Sequence, residues 1–150
     1  MKIKSTLFLL LVVFISNTAF SQLKLTWKDV IDVYAKEVRF SEKNPAKAIK
    51  GQGKSLKDIE GKKITITGYF LDLDPDGEWF MVSKNPFATC FFCGGAGPET
   101  VIELLGFKNS KKKFKTDDIV QVTGVLNMIT ENENDISFVL EKCTVKHISK

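Results

Sequence analysis

Hydrophobic and polar positions follow two different periods along this chain, and the change between them falls near residue 60. Trp27, Val30, Val33, Tyr34 and Val38 recur at three- and four-residue spacing, drawing one apolar stripe along a helix. Thr26 followed by Asp29 resembles a capping box with Asp in place of the usual Glu. The helix is therefore expected to begin there and to fade near Phe40, ahead of Asn44-Pro45. Residues 41–54 mix Lys, Gly, Pro and Ser without a period and read as a connection. Ser55 then caps one helical turn over 55–59, which delivers the chain to Gly61.

Beyond Gly61 the pattern alternates. Ile64-Thr65-Ile66-Thr67-Gly68-Tyr69-Phe70 is β-branched and aromatic, with Ile64, Ile66 and Phe70 on one face. Asp74-Pro75-Asp76-Gly77 reads as a turn, because Pro presets one dihedral and Gly accepts positive φ. Further strands are expected over 78–82, 100–105, 118–128 and 136–145, with 131–135 as the last turn. Two strands echo each other, Ile-Thr-Ile-Thr-Gly-Tyr-Phe at 64–70 and Val-Gln-Val-Thr-Gly-Val-Leu at 120–126, with Gly68 and Gly124 in equivalent places. A glycine inside a strand marks a bulge, a corner or a close approach of another backbone. The pattern predicts a mainly β chain with one N-terminal helix, closed as a small five-stranded barrel of the oligonucleotide/oligosaccharide-binding (OB) type. An open five-stranded meander with the helix across one face is the competing plan.

Composition narrows the class. At 150 residues the chain has room for one domain, and 43% hydrophobic with 27% charged residues excludes a disordered or multi-spanning protein. Lys2 and Lys4, the apolar run over 7–15 and Ala19-Phe20-Ser21 have the form of a signal peptide, with cleavage expected before Gln22. The apolar run is about half the ~20 residues of a spanning helix, and no cysteine precedes Cys90 to carry a lipid there. The expected organisation is a leader over 1–21, a helix and connection over 22–54, and the barrel domain over 55–150. The expected location is outside the cytoplasm, periplasmic or secreted.

Charge then argues against a nucleic-acid partner. Removing residues 1–21 takes two Lys from the 22 Lys+Arg and nothing from the 18 Asp+Glu, so the mature excess is only two positive charges. Lys111-Lys112-Lys113 with Lys115, beside Asn109-Ser110, reads as a solvated turn rather than a basic stripe.

The candidate chemistry lies in the loop Cys90-Phe91-Phe92-Cys93-Gly94-Gly95-Ala96-Gly97-Pro98-Glu99. Two-residue spacing turns both sulfurs toward one point, which suits a metal knuckle or a redox disulfide. A tetrahedral zinc site needs further ligands, and Cys143 and His147 would complete a Cys₃His set. In a continuous strand those two stand ~13 Å apart, at about 3.3 Å per residue, so both enter only if the chain bends after Val145. Glu99 or Glu141 would replace His147. Cys143 also has the wrong parity for the face of Ile136, Phe138 and Leu140 unless a bulge intervenes, and reads otherwise as a small buried hydrophobe.

Gly-Gly-Ala-Gly-Pro is a poor helix start for a thioredoxin-like site, although an oxidising compartment would close an unmetallated Cys90–Cys93 pair as a disulfide. Tyr69, Trp79 and Phe80 read as core or rim packing rather than as a stacking platform. The chain's single His near its terminus leaves no credible catalytic triad. The glycine cluster lacks the Lys-Ser/Thr of a phosphate loop.

This Cys-Phe-Phe-Cys-Gly-Gly-Ala-Gly-Pro-Glu stretch, after Gly-Lys-Lys-Ile-Thr-Ile-Thr-Gly-Tyr-Phe, resembles a family of small exported bacterial proteins of unknown function with an OB-like barrel. It is also similar to a wider group of exported domains with the same strand plan and a Cys and Pro in this loop, some of them linked with metal uptake. The resemblance spans about residues 56–146, carries its specificity in the cysteine loop alone, and implies no reaction. The leading expectation is a non-enzymatic metal-binding or metal-uptake accessory module. Zinc would sit on Cys90 and Cys93, and the partner would be a metal transporter or another envelope protein. The alternatives are an OB-type module for an envelope partner or glycan with a purely structural cysteine loop, and a thiol-disulfide exchange protein.

Overall fold

The computed structural model describes residues 22–41, 54–74, 79–90, 96–132 and 135–148. The expected leader, most of the 41–54 connection, the Pro75-Asp76-Gly77 turn and Cys93 lie outside them. A two-residue strand, β1 (Leu23–Lys24), comes first, followed by helix α1 (Trp27–Ser41) and the short helix α2 (Leu56–Ile59). Five further strands follow: β2 (Lys63–Asp72), β3 (Phe80–Ser83), β4 (Val101–Leu105), β5 (Ile119–Asn132) and β6 (Asp135–His147).

Both helices start where the sequence places their caps. The Thr26 amide donates to Asp29 Oδ2 at 2.9 Å and the Asp29 amide donates back to Thr26 Oγ1 at 3.3 Å. Ser55 and Asp58 repeat the device before α2, with the Ser55 amide 2.7 Å from Asp58 Oδ2. Each box satisfies amides that the first helical turn leaves without partners. Lys54 Nζ reaches Asp29 Oδ1 at 2.8 Å and joins the two starts. Val30 and Val33 are fully buried, with Trp27 and Tyr34 packed beside them. The Val38 side chain lies outside the description.

The chain is mainly β, as expected, and its bonding is ring-like. β2 pairs antiparallel with β3 on one side and β5 on the other; β3 pairs with β4, β4 runs parallel to β6, and β6 pairs with β5. The order therefore returns to β2 after five strands. β1 is the element that periodicity missed, because two residues show no period. It lies parallel to β2 at Ile64 and Thr65. Immediately after it the Leu25 amide donates to Thr65 O at 2.9 Å and Trp27 Nε1 donates to Thr67 O at 2.7 Å. The first bond continues the β1 ladder, and the second satisfies a carbonyl in the stretch of β2 that neither β1 nor β3 pairs, where open carbonyls would otherwise form a sticky edge.

Side chains fill the ring from both ends. At one end α1 packs over it, and Tyr34 meets Phe138 with ring centroids 6.4 Å apart. At the other end Phe70, Phe80, Phe107 and Phe114 stack and tilt on one another at centroid separations of 5.6–6.1 Å. Offset and edge contacts of this kind add to what burial of the rings contributes.

The echoing glycines both sit at close approaches. A Cβ on Gly68 would fall onto Ser83 O and come within 2.8 Å of Val82 Cγ2, where β3 joins β2. A Cβ on Gly124 would stand 2.9 Å from Glu141 O and 3.3 Å from Cys143 Sγ. Gly124 faces two residues of β6, Lys142 and Cys143, because the register moves from Thr123–Thr144 to Val125–Glu141. That extra residue is a bulge, and Lys142 carries it at φ 52°. The inward face of β6 consequently changes parity, from Phe138 and Leu140 to Val145.

Candidate cysteine-loop site

On β2, β3 and β4 the outward positions are apolar as well as the inward ones. Leu71, Met81 and Val101 point away from the ring and are nevertheless buried, with Cys90 among them and Leu73 packed alongside. Register explains the grouping: Leu71 pairs with Met81, and Val101 pairs with Ser83 two residues further along β3. The loop between β3 and β4 folds back over this outer face, and Cys90 is its fully buried contact. Three short bonds hold the strap. Lys84 donates its amide to Thr100 O at 2.9 Å at the base, and Cys90 donates to Phe87 O at 3.2 Å, closing the 3₁₀ turn Phe87–Thr89. The Phe87 amide donates to Asp117 Oδ1 at 2.8 Å, thirty residues on. Asp117 lies in a tight turn at φ 70°, and its own amide bonds Phe70 O at 2.8 Å. Sequence reasoning missed Asp117; its one signal is an Asp-Asp pair before a strand, since Asp tolerates left-handed backbone in turns.

Cys143 and His147 lie apart from Cys90. Cys143 stands at the bulge on β6 and packs against the ring interior rather than the outer cluster. The bulge supplies the parity change its inward position requires. Its thiol donates to Leu140 O at 2.8 Å, and burial, with the Glu141 charge adding to it, pushes its pKa up to about 12. Cys143 is turned to the Leu140 carbonyl and the ring interior, on the other side of the sheet from Cys90.

His147 ends β6 at the aromatic end of the ring. Its ring lies 4.6 Å from that of Phe114, Nε2 is 3.3 Å from Lys113 O, and Nδ1 is 3.8 Å from Asp118 Oδ2. Glu99 belongs to the 3₁₀ turn Pro98–Thr100, where its carboxylate folds back over Gly97 and occupies the space a Cβ there would need. Glu141 pairs with Leu105 and Val125 in the sheet. Among the described residues, no three His, Cys, Asp or Glu side chains gather into a group that could hold a metal ion. Cys93, the partner in the Cys-x-x-Cys pair, lies outside the description.

Compared with protein-family models and with curated proteins, the chain matches none. Among the described residues no helix is long and apolar enough to cross a membrane.

Proposed function

We propose that the chain is an exported, non-enzymatic binding module of OB type whose cysteine loop is a structural strap. The observation that carries this reading is the burial of Cys90 among Leu71, Met81 and Val101. A cysteine in such apolar surroundings packs as a small hydrophobe. OB modules commonly bind oligonucleotides on the outer face of their second and third strands. In the ring those strands are β3 and β4, and the strap lies across that face. Binding then falls to the outer face of β2, β5 and β6, where Thr67, Gln121 and Lys146 line up in register. Hydroxyl, amide and ammonium groups in a row suit a hydroxyl-rich ligand such as an envelope glycan.

Metal handling at Cys90 and Cys93 is decided by the same experiment. Reduced wild-type protein and Cys90→Ser/Cys93→Ser are titrated with zinc by calorimetry, and their stability is compared in denaturant. The strap reading expects equal zinc binding and a destabilised double variant. Zinc binding at least about tenfold tighter in wild type, a gap of about 1.4 kcal/mol, would replace it with the metal reading.

A further inference from the structure

The aromatic end of the ring carries a surface that the strap does not use and that meets the polar outer face only at Lys146. Six large apolar side chains are exposed among the described residues, and four of them, Phe87, Leu105, Ile119 and Ile148, belong to this end. Leu105 closes β4, Ile119 opens β5, and Ile148 follows β6 with its amide bonded to Ile119 O at 3.1 Å. Phe87 is tied to the same rim by its bond to Asp117. Of the other two, Trp79 stands across the rim beside the β2–β3 turn, and Ile129 lies on the β5–β6 hairpin at the opposite end.

Lysines share this rim. Lys111, Lys113 and Lys115 stand exposed on the connection from β4 to β5, and Lys146 stands exposed near the end of β6. Among the described residues no carboxylate pairs with any of these four within 4 Å. The acids on the same connection are turned to internal work. Asp117 holds the Phe87 amide, while Asp118 accepts the Lys115 amide at 2.8 Å and faces His147. Asp74 is exposed at this end too, but on the β2–β3 side beside Trp79. Among the described residues the β4–β5–β6 arc therefore presents ammonium groups without carboxylate partners around exposed aliphatic side chains, with Lys113 Nζ lying 5.3 Å from the centroid of the Phe114 ring. Lys111 is held at φ 61°, in the left-handed region that lysine rarely adopts.

We infer that this arc docks the protein on an anionic phospholipid bilayer. Lysines near a negatively charged leaflet each add attraction, and apolar side chains beside them enter the interfacial layer, so the two together give reversible binding that neither gives alone. A soluble polyanion would use the ammonium groups and leave Ile119 and Ile148 in water. The apolar half of the arc favours the bilayer.

The test is co-sedimentation of the full chain with vesicles of phosphatidylglycerol and phosphatidylcholine mixed equally, against phosphatidylcholine alone. Because every variant keeps residues 1–21, binding driven by that apolar run is common to all and does not separate them. The expected result is binding to the anionic vesicles that weakens at least about tenfold in Lys111→Glu/Lys113→Glu/Lys115→Glu/Lys146→Glu and falls with salt. Ile119→Ser/Ile148→Ser should weaken it several-fold, with near-ultraviolet circular dichroism unchanged. If charge reversal unfolds the chain, the four Lys→Gln changes replace it. Equal binding by wild type and both variants overturns the inference. So does binding to heparin that Ile119→Ser/Ile148→Ser leaves intact while no variant distinguishes the vesicles.

Discussion

The ring divides into two halves that each carry one of the echoing glycines and one described cysteine, yet use them differently. In the β2–β3–β4 half the strands are covered inside by the core and, over Leu71, Met81 and Val101, outside by the strap. Gly68 admits a neighbouring backbone there, and Cys90 is an anchor. In the β5–β6 half a long hairpin is covered mainly on its inner face, and a bulge takes up the irregularity. Gly124 faces that bulge, and Cys143 is turned inward by it. The same residue types thus answer to local coverage rather than to their place in a repeated motif.

The largest effect that would break this comparison is at Gly68. Any side chain there meets Ser83 O, a backbone atom fixed by two ladders, so Gly68→Val should destabilise by about 3 kcal/mol in denaturant melts. Cys90→Ser comes next. It leaves a hydroxyl among Leu71, Met81 and Val101, and a loss of about 2 kcal/mol is expected, while Cys90→Ala loses less. A serine variant as stable as wild type would show that the strap does not seal the outer face.

Gly124→Val should cost only about 1.5 kcal/mol, because the bulged partner can shift, and adding Cys143→Ala should recover part of it. Equal costs at Gly68 and Gly124 would erase the distinction between the halves. Alkaline titration sharpens it further. With its folded pKa raised from 9.0 to about 12, Cys143 contributes stability that is whole below pH 9 and is lost as pH rises toward 12. Melts over that range should show the decline in wild type and a shallower one in Cys143→Ala. The smallest expected change is at the seam, where Thr65 Oγ1 and Thr123 Oγ1 stand 2.9 Å apart. Thr123→Val there should cost about 0.5 kcal/mol.

Much of this was legible beforehand for identifiable reasons. Helix caps are local, so Thr26-Asp29 and Ser55-Asp58 announced both starts. Alternation gave β2 and the inner face of β5, since one side of each strand is more exposed than the other. It read β3 less well, because Phe80–Ser83 is buried on both faces and shows no contrast. The parity change on β6 was visible only as a conditional, because nothing in the sequence marks Lys142 as the residue that takes the bulge. The burial of Cys90 was hidden for another reason. Its two-residue spacing from Cys93 is the same for a knuckle, a disulfide or a packed anchor, and the residues that bury it are distant in sequence. Their signal was present in outline: Leu71, Met81 and Val101 are apolar where a solvent-facing strand would carry polar side chains.

Ring closure also governs how the chain reaches its folded state. The contact between β2 and β5 joins residues such as Thr65 and Thr123, 58 positions apart, and β4 finds its parallel neighbour only once β6 has formed. Pairings this distant are reached slowly, since loop entropy must be lost before they contribute. A chain emerging from its N-terminus holds β2 with one flank empty until most of the remaining sequence has arrived. Amides along the middle of β2 should therefore gain hydrogen-exchange protection late and together with those of β5. A nascent chain lacking β6 leaves β4 and β5 without the strand that joins them, so the ring stays open until the last residues arrive.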